Sequence, residues 1–458
     1  MAAVALSTAN QRDTARPAAG IFFPQRPVLR LNSHAYSQAI LSKIVEAGGQ
    51  LKSYAMAERM LKCLAEVEIS DQHVRRLTSE IGKELAADRD RQVENYVHHR
   101  RIEPVGDVPE AVAIALDGAR IQTRDPCRGQ GPGVFGEAWK EDKAACFHEL
   151  KGPSFTEDPH PEPPRKFLDA VIVAEMVREF HAQRGSNANW PETPLPTVTS
   201  GDAVDNDAPV ETLTDDGEVN APAWPPKRAE RSCVATMHDS DAFGKMVATE
   251  AYARKFYAAS RRAFLADGQR YNWTIQEKWF KDFEPIADFI HPLSYLYAAA
   301  TAASADPNER WSLYVAWMTN CWQGRVSSVV EQLHQHAERL GPVPPDAELP
   351  TTDPRIVVRR ALTYLVNNGR HMDYPRYRQM GLPITSAAVE SLIKEINYRV
   401  KGTEKFWNQP EEAEAILQVR AALLSDDDRL AKHLENRAGS PYRYRNCRAK
   451  IGETRQAA

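Results

Sequence analysis

The sequence predicts an α/β protein with a mixed sheet and attached helices, and three observations carry that prediction. Apolar runs of strand length end in Asp-Gly twice, at Asp117-Gly118 and again 150 residues later at Asp267-Gly268. The chain from Ser33 to about Arg100 has helical patterning and is nearly free of Gly and Pro, and 304–380 is also mostly helical. The elements between these stretches read as three strands, helix, strand, strand, helix, which is not the strict alternation of a doubly wound sheet.

The bulk numbers bound the class. At 458 residues there is length for two or three domains, and 42% hydrophobic with 26% charged content is that of a soluble globular protein. No apolar run approaches the roughly 20 residues a membrane helix needs. Met1–Gln25 lacks the apolar segment of a secretory signal, so no membrane partner is expected. Cys63, Cys127, Cys146, Cys233, Cys321 and Cys447 are scattered with no C-x-x-C pair, which argues against a zinc knuckle or disulfide frame and fits a reducing cytoplasm. The net charge of −4 is uneven: Gly201–Asn220 holds seven acids and no Lys or Arg, leaving +3 on the remainder. Global charge therefore does not decide for or against a nucleic-acid partner.

Taken in order, residues 1–32 have little pattern and read as a flexible arm. Over 33–105 three helices are expected: about Tyr36–Ala47 and Ser53–Glu66, separated by Gly48-Gly49, then a third capped by Ser70. Val74, Leu77, Ile81 and Leu85 give the third an apolar stripe, while Gln72, His73, Arg75 and Arg76 take outward positions. That is the chemistry of a recognition helix in a helix-turn-helix unit, and equally that of a bundle helix with a solvated basic face.

Strands follow at Val112–Asp117 and Ala138–Leu150, then a helix over Lys166–Gln183. The segment 185–226 is rich in Pro, Asp, Thr and Asn and reads as a loosely ordered acidic insertion. Ser232–Met237 is a strand, about Asp241–Ala259 a helix, and Arg261–Asp267 a strand. Pro285–His291 is a strand leading into a helix at Leu293–Ala303. Within 304–380, Trp311, Trp317 and Trp322 are expected to be buried, and Pro342–Pro354 forms a loop. Asp117 closes its apolar run, which delivers a carboxylate to the strand end, where α/β folds hold their chemistry. The alternative is a plain hairpin turn, for which Asp-Gly is a common pair.

A late helix begins after Pro383, capped by Thr385 or Ser386, with Glu390 near its first turn. Val389, Leu392, Ile393, Ile396 and Val400 form its buried face. At 100° per residue Glu390, Lys394, Asn397 and Lys401 fall within about 60° of one another. A carboxylate, two lysines and an amide on one stripe suit a metal site beside a phosphate backbone; a surface Glu–Lys pair is the plainer alternative.

Leu116-Asp117-Gly118, Ala266-Asp267-Gly268 followed by Trp273, Asp288-x-x-His291, and Pro383-Ile-Thr-Ser-x-x-Val-Glu390-Ser stand in this order. Continued by Arg399-Val-Lys401 and Trp407, the set resembles a bacterial insertion-sequence DDE transposase related to eukaryotic Mutator-like elements. The resemblance covers about 108–425. It implies an RNase H-like core over 108–303 and 381–436, a helical insertion over 304–380 before the catalytic Glu, and an all-helical DNA-binding region over 33–105. A basic tail follows at 437–458, where Arg443, Arg445, Arg448 and Lys450 alternate with Tyr442 and Tyr444. The acidic insertion 185–226 departs from the family pattern.

The resemblance further implies that the chain cuts phosphodiester bonds at the ends of its element and joins the 3′-OH to target DNA, with Asp117, Asp267 and Glu390 as catalytic metal ligands. Such transfer needs an activated oxygen nucleophile, a stabilised leaving oxygen and in-line geometry. Two Mg²⁺ ions about 3.5–4 Å apart supply these, Mn²⁺ being the natural substitute, and both prefer hard oxygen ligands. Asp117 is expected to bridge the ions, with Asp267 on one and Glu390 on the other. Lys394, Asn397, Arg399 and Lys401 are expected at phosphates, and Trp407 either stacks on a base or is a buried structural residue. Asp288 and His291 belong to a motif whose expected role is an orienting or structural hydrogen bond. The partners implied are double-stranded DNA (terminal inverted repeats and target) and a second copy of the chain, because two ends must be paired. The expected location is the bacterial cytoplasm, at the nucleoid when bound. An RNase H-fold nuclease without strand transfer, or a domesticated non-catalytic DNA-binding protein, are the alternatives.

Overall fold

The strand Ala111–Asp125 (β1) is the middle of a five-stranded sheet, and its composition explains why. Ala111 to Leu116 are apolar at every position and all buried, as a strand covered on both faces must be. The computed structural model describes residues 36–125, 136–183, 224–344, 349–385, 387–401 and 407–437. The expected arm 1–32, most of the acidic insertion, the tail beyond 437, Cys127 and Cys447 lie outside the described residues.

β1 pairs antiparallel with Gly136–Lys151 (β2), which pairs antiparallel with Lys227–Thr236 (β3). On its other side β1 pairs in parallel with Arg261–Ala266 (β4), and β4 in parallel with Glu284–Ala287 (β5). The sheet order is thus β3-β2-β1-β4-β5. The mixed sheet expected from the order of elements is present.

One expectation is corrected here. Asp117-Gly118 is neither a turn nor a strand end: β1 continues to Asp125, with unbroken register Asp117↔Ala144, Gly118↔Lys143 and Ala119↔Asp142. What ends near Asp117 is the neighbour, because β4 stops at Ala266, opposite Leu116. Gly118 serves close approach instead. A Cβ there would lie 3.1 Å from Glu141 Oε1 and 3.5 Å from the Tyr271 hydroxyl.

The three early helices are Gln38–Gln50 (α1), Tyr54–Ala65 (α2) and Asp71–Val97 (α3), with Ser37, Ser53 and Ser70 capping them through their hydroxyls. Gly48-Gly49 does not separate α1 from α2 but sits inside the last turn of α1. A Cβ on Gly48 would stand 2.2 Å from Thr78 Oγ1, so the glycine lets α1 and α3 touch. The helix Ala170–Gln183 (α4) follows β2, and Ser240–Ala253 (α5) follows β3. Arg270–Trp279 (α6) links β4 to β5, and Ile290–Ala303 (α7) follows β5.

The stretch 304–380 is helical as expected: Pro307–Trp322 (α8), Val326–Leu340 (α9), Pro354–Asn368 (α10) and the short Tyr374–Gln379 (α11). Trp317 and Trp322 are fully buried, while Trp311 is only partly so. Three helices complete the chain: Ala387–Val400 (α12), Pro410–Leu423 (α13) and Arg429–Asn436 (α14). α12 packs over β1 and β2, and α13 lies between β3 and α3. The α3–α13 contact is intimate, since a Cβ on Gly82 would be 2.1 Å from the Ala415 carbonyl oxygen. Arg89 of α3 also bonds Glu414 of α13 at 2.5 Å, and Glu414 accepts from Met237 N–H at 2.8 Å. The helical N-terminal region is therefore packed onto the C-terminal helices. Among the described residues no helix is long and apolar enough to cross a membrane.

Candidate active site

The parallel register of β1 and β4 makes Leu116 and Ala266 partners, so Asp117 and Asp267 are the next residues on two adjacent strands. Such strands lie about 4.8 Å apart. The third parallel strand ends at the same level, for the N–H of Asp288 donates to the Ala266 carbonyl at 2.9 Å. Asp267 and Asp288 thus follow the ends of β4 and β5, at the level of Asp117 within β1.

Asp267 is 5% exposed and held by amides. Its Oδ1 accepts from Gln269 N–H at 3.0 Å and from Asn272 Nδ2 at 2.9 Å, while Oδ2 accepts from Gln269 Nε2 at 2.7 Å. These bonds fix the orientation of the carboxylate. Gly268, at φ +91°, turns the chain out of β4 in a conformation that favours glycine. The Tyr364 hydroxyl of α10 donates to the Asp267 carbonyl at 3.2 Å, which ties the helical insertion to this corner. Trp273 anchors α6 there as well, its indole N–H donating to Asn368 Oδ1 at 2.8 Å.

Asp117 is half-buried, and its Oδ1 accepts from Gly118 N–H at 2.7 Å. Tyr271 is near these acids: burial raises the pKa of its phenol, and the charges of Asp267, Glu141 and Asp117 push it further in the same direction. That one hydroxyl feels all three carboxylates is the electrostatic sign that they share a neighbourhood.

Asp288 is fully buried and His291 nearly so, with Asp288 Oδ2 2.6 Å from His291 Nδ1 and 3.3 Å from its N–H. The pair joins the end of β5 to the first turn of α7. The two side chains are joined by a buried hydrogen bond.

Glu390 stands in the first turn of α12, the helix that packs over β1 and β2, but its side chain lies outside the described residues, as does Ser386. Among the described residues no group of three His, Cys, Asp or Glu side chains stands in metal-holding geometry. Lys394 and Lys401 are exposed on α12 and just beyond it, and Asn397 is half-buried.

Two expected DNA contacts are used otherwise. Arg399 is 1% exposed; its Nε donates to the Gly48 carbonyl at 2.8 Å, and its guanidinium lies 4.3 Å from the centre of the Tyr54 ring. It fastens α12 to the N-terminal helices and leaves no face for a phosphate. The reason is helical geometry: Arg399 falls beside Ile396 and Val400, on the buried side. Trp407 is likewise buried and donates its indole N–H to the Val400 carbonyl at 2.9 Å, while its backbone bridges to β1 at Thr123. It is the structural alternative of the two open for it, and base stacking is not available in this arrangement. On α3, Gln72 and Arg76 are exposed, Arg75 pairs with Glu412 at 2.7 Å, and half-buried His73 packs 5.4 Å from Tyr36.

Asp142 was not singled out by sequence reasoning. It is 1% exposed, and burial pushes its carboxyl up to about 6, with Asp117 and Glu141 adding to the effect against its own N–H and Lys401. Its signal in the sequence was an acid at the start of an alternating strand, two positions before Ala144 on a face that turns apolar. Tyr271, Gln269 and Asn272 were also missed, since a bare reading of Asp-Gly gives no hint of what the following helix supplies.

No family model matches the chain, and no curated protein matches it.

Proposed function

We propose that the chain is a DNA transposase of an insertion sequence, cutting phosphodiester bonds at the element's ends and joining the freed 3′-OH to target DNA. The observation that supports this most is the β1–β4 register, which pairs Leu116 with Ala266 so that Asp117 and Asp267 are the next residues of adjacent chain segments, while the helix that carries Glu390 packs over β1 and β2. The strand order β3-β2-β1-β4-β5, with β2 antiparallel to its neighbours, supports an RNase H-like reading of the sheet, as do the helices of 304–380 that fall between Asp267 and Glu390.

The donor chemistry fits divalent magnesium. The acids offer only hard oxygen ligands, and Oδ1 of buried Asp142 has no hydrogen-bond partner among the described residues. When bound, two such ions would activate the attacking oxygen and stabilise the leaving one. Asp117, Asp267 and Glu390 would hold them. The chain's own contribution is orientation: Gln269 and Asn272 fix the Asp267 carboxylate, and the Asp288–His291 pair fixes the strand end beside it. No side-chain nucleophile is required. Lys394, exposed on α12, and Lys401, exposed just beyond it, would meet phosphates. Two copies of the chain would pair the two ends.

The test is strand transfer by the full-length chain. A labelled duplex carrying the DNA that flanks the coding sequence is incubated with supercoiled plasmid and Mg²⁺ or Mn²⁺. Joined product is expected from the native chain, with losses above roughly 100-fold in Asp117→Asn, Asp267→Asn and Glu390→Gln. Equal joining by the variants would end this reading. Cleavage without joining would favour a nuclease, and binding without either a domesticated DNA-binding protein.

A further inference from the structure

Asp142 is a buried acid beside this site with one carboxylate oxygen that has no hydrogen-bond partner among the described residues. In an antiparallel pair directly opposed residues project to one face, and side chains alternate along each strand. Asp117 is opposite Ala144, so Asp142, two residues away, projects to the same face as Asp117 and lies diagonal to it. Its direct partner is Ala119, a small side chain on the same face as Asp117. α12 packs over these two strands, and Lys401 at its end is a positive charge that Asp142 feels.

The side chain is 1% exposed, yet Oδ1 has no hydrogen-bond partner among the described residues. A buried acceptor left unmade costs roughly 1–3 kcal/mol, and more when charged. An acid kept so, next to another acid, destabilises the fold unless a cation joins them.

We infer that Asp142 is a fourth carboxylate of the site, a positioning residue that accepts hydrogen bonds from the hydration shell of the divalent cation held at Asp117. The inference rests on the metal-dependent reading above. Magnesium keeps several of its waters when bound by few carboxylates, and those waters need acceptors. Asp142, too far along β2 to be a direct partner of Asp117 in the register, supplies one. Outer residues of this kind change metal affinity by about 10–100-fold.

The experiment measures Mn²⁺ alone binding to the full chain by titration calorimetry, with melting temperatures taken with and without the metal. The proteins are the native chain, Asp142→Asn, Asp142→Ser and Asp117→Asn. We expect both Asp142 variants to bind Mn²⁺ about 10–100-fold more weakly. Both should melt higher than the native chain without metal, and gain less from adding it. Mn²⁺ affinity within twofold of native in the Asp142 variants, with Asp117→Asn binding lost, would overturn this inference and leave the proposed function standing. Lower melting of both variants without metal would also overturn it, by showing that the carboxylate serves the fold. Absence of Mn²⁺ binding by the native chain would instead remove the metal-dependent reading, and this inference with it.

Discussion

The carboxylate of Asp288 lies 2.6 Å from Nδ1 of His291, and the backbone N–H of the same aspartate donates to the carbonyl of Ala266, the residue before Asp267. One residue therefore fixes both the start of α7 and the level at which β4 ends. Replacing it by Ala leaves a buried imidazole nitrogen unpaired, which costs about 1–3 kcal/mol. Urea unfolding of Asp288→Ala and His291→Ala should each show that loss, with little further loss in the double variant. Additive losses would mean the two do not act as a pair.

Asn272 donates to Asp267 at 2.9 Å, so its replacement by an acid sets two carboxylates against each other. Like charges at that range raise the pKa of one of them. Asn272→Asp should lose strand transfer at neutral pH, whereas Asn272→Ala should lose much less. Equal losses in the two would indicate that the amide merely fills space.

Lys394 and Lys401 are exposed, while Arg399 is buried against Gly48 and Tyr54. Each lysine changed to Ala should weaken DNA binding and reduce the salt slope of log K by about 0.9. Arg399→Ala should instead lower the melting temperature, because it removes a bond between α12 and the N-terminal helices. A salt slope altered by Arg399→Ala with unchanged melting would contradict the buried role.

His148 is buried on β2, with Nε2 3.0 Å from Cys146 Sγ, and burial together with Arg228 and Arg231 lowers its pKa to about 3. The folded chain therefore refuses a proton that the unfolded chain takes up below about 6.5. Stability from this neutral imidazole is complete above that pH and is lost progressively as pH falls toward 3, at up to about 1.4 kcal/mol per unit. Denaturant melts of His148→Phe between pH 7 and 4 should show a shallower fall than the native chain. An unchanged slope would place the acid sensitivity elsewhere.

Gly82→Ala puts a methyl 2.1 Å from the Ala415 carbonyl oxygen, and that oxygen is backbone. The helices must part, at a cost of about 1–3 kcal/mol or more. Calorimetric melting would register it as a lower transition for the whole chain rather than a separate early one.

How much was legible in advance follows from periodicity. Ala111 to Leu116 announced a doubly covered strand because every position is apolar, and Ser53 and Ser70 announced helix starts because hydroxyl caps act locally. The end of β1 was misjudged because its continuation past Gly118 depends on β2, a partner that local pattern does not encode. Gly48-Gly49 was read as a break for the same reason: its use, contact with Thr78 and Leu423, lies outside α1. The acids at 117 and 267 stand out as closing apolar runs, of which only the second ends a strand, and the order that brings the two together is tertiary. Asp142 escaped because a charged residue on a strand looks solvent-facing until the helix above it is known.

The glycine at 82 has a further consequence. The Ala415 side of α13 is shaped to receive a helix at almost backbone distance, and α3 is that helix. A chain cut back to begin near residue 108 would leave α13 with Ala415, Val419 and Ala422 facing water, and would not keep its shape. The helices that this reading assigns to DNA and the sheet that holds the acids are thus inherited together. Any other helix set in the place of α3 would need a glycine at the same crossing.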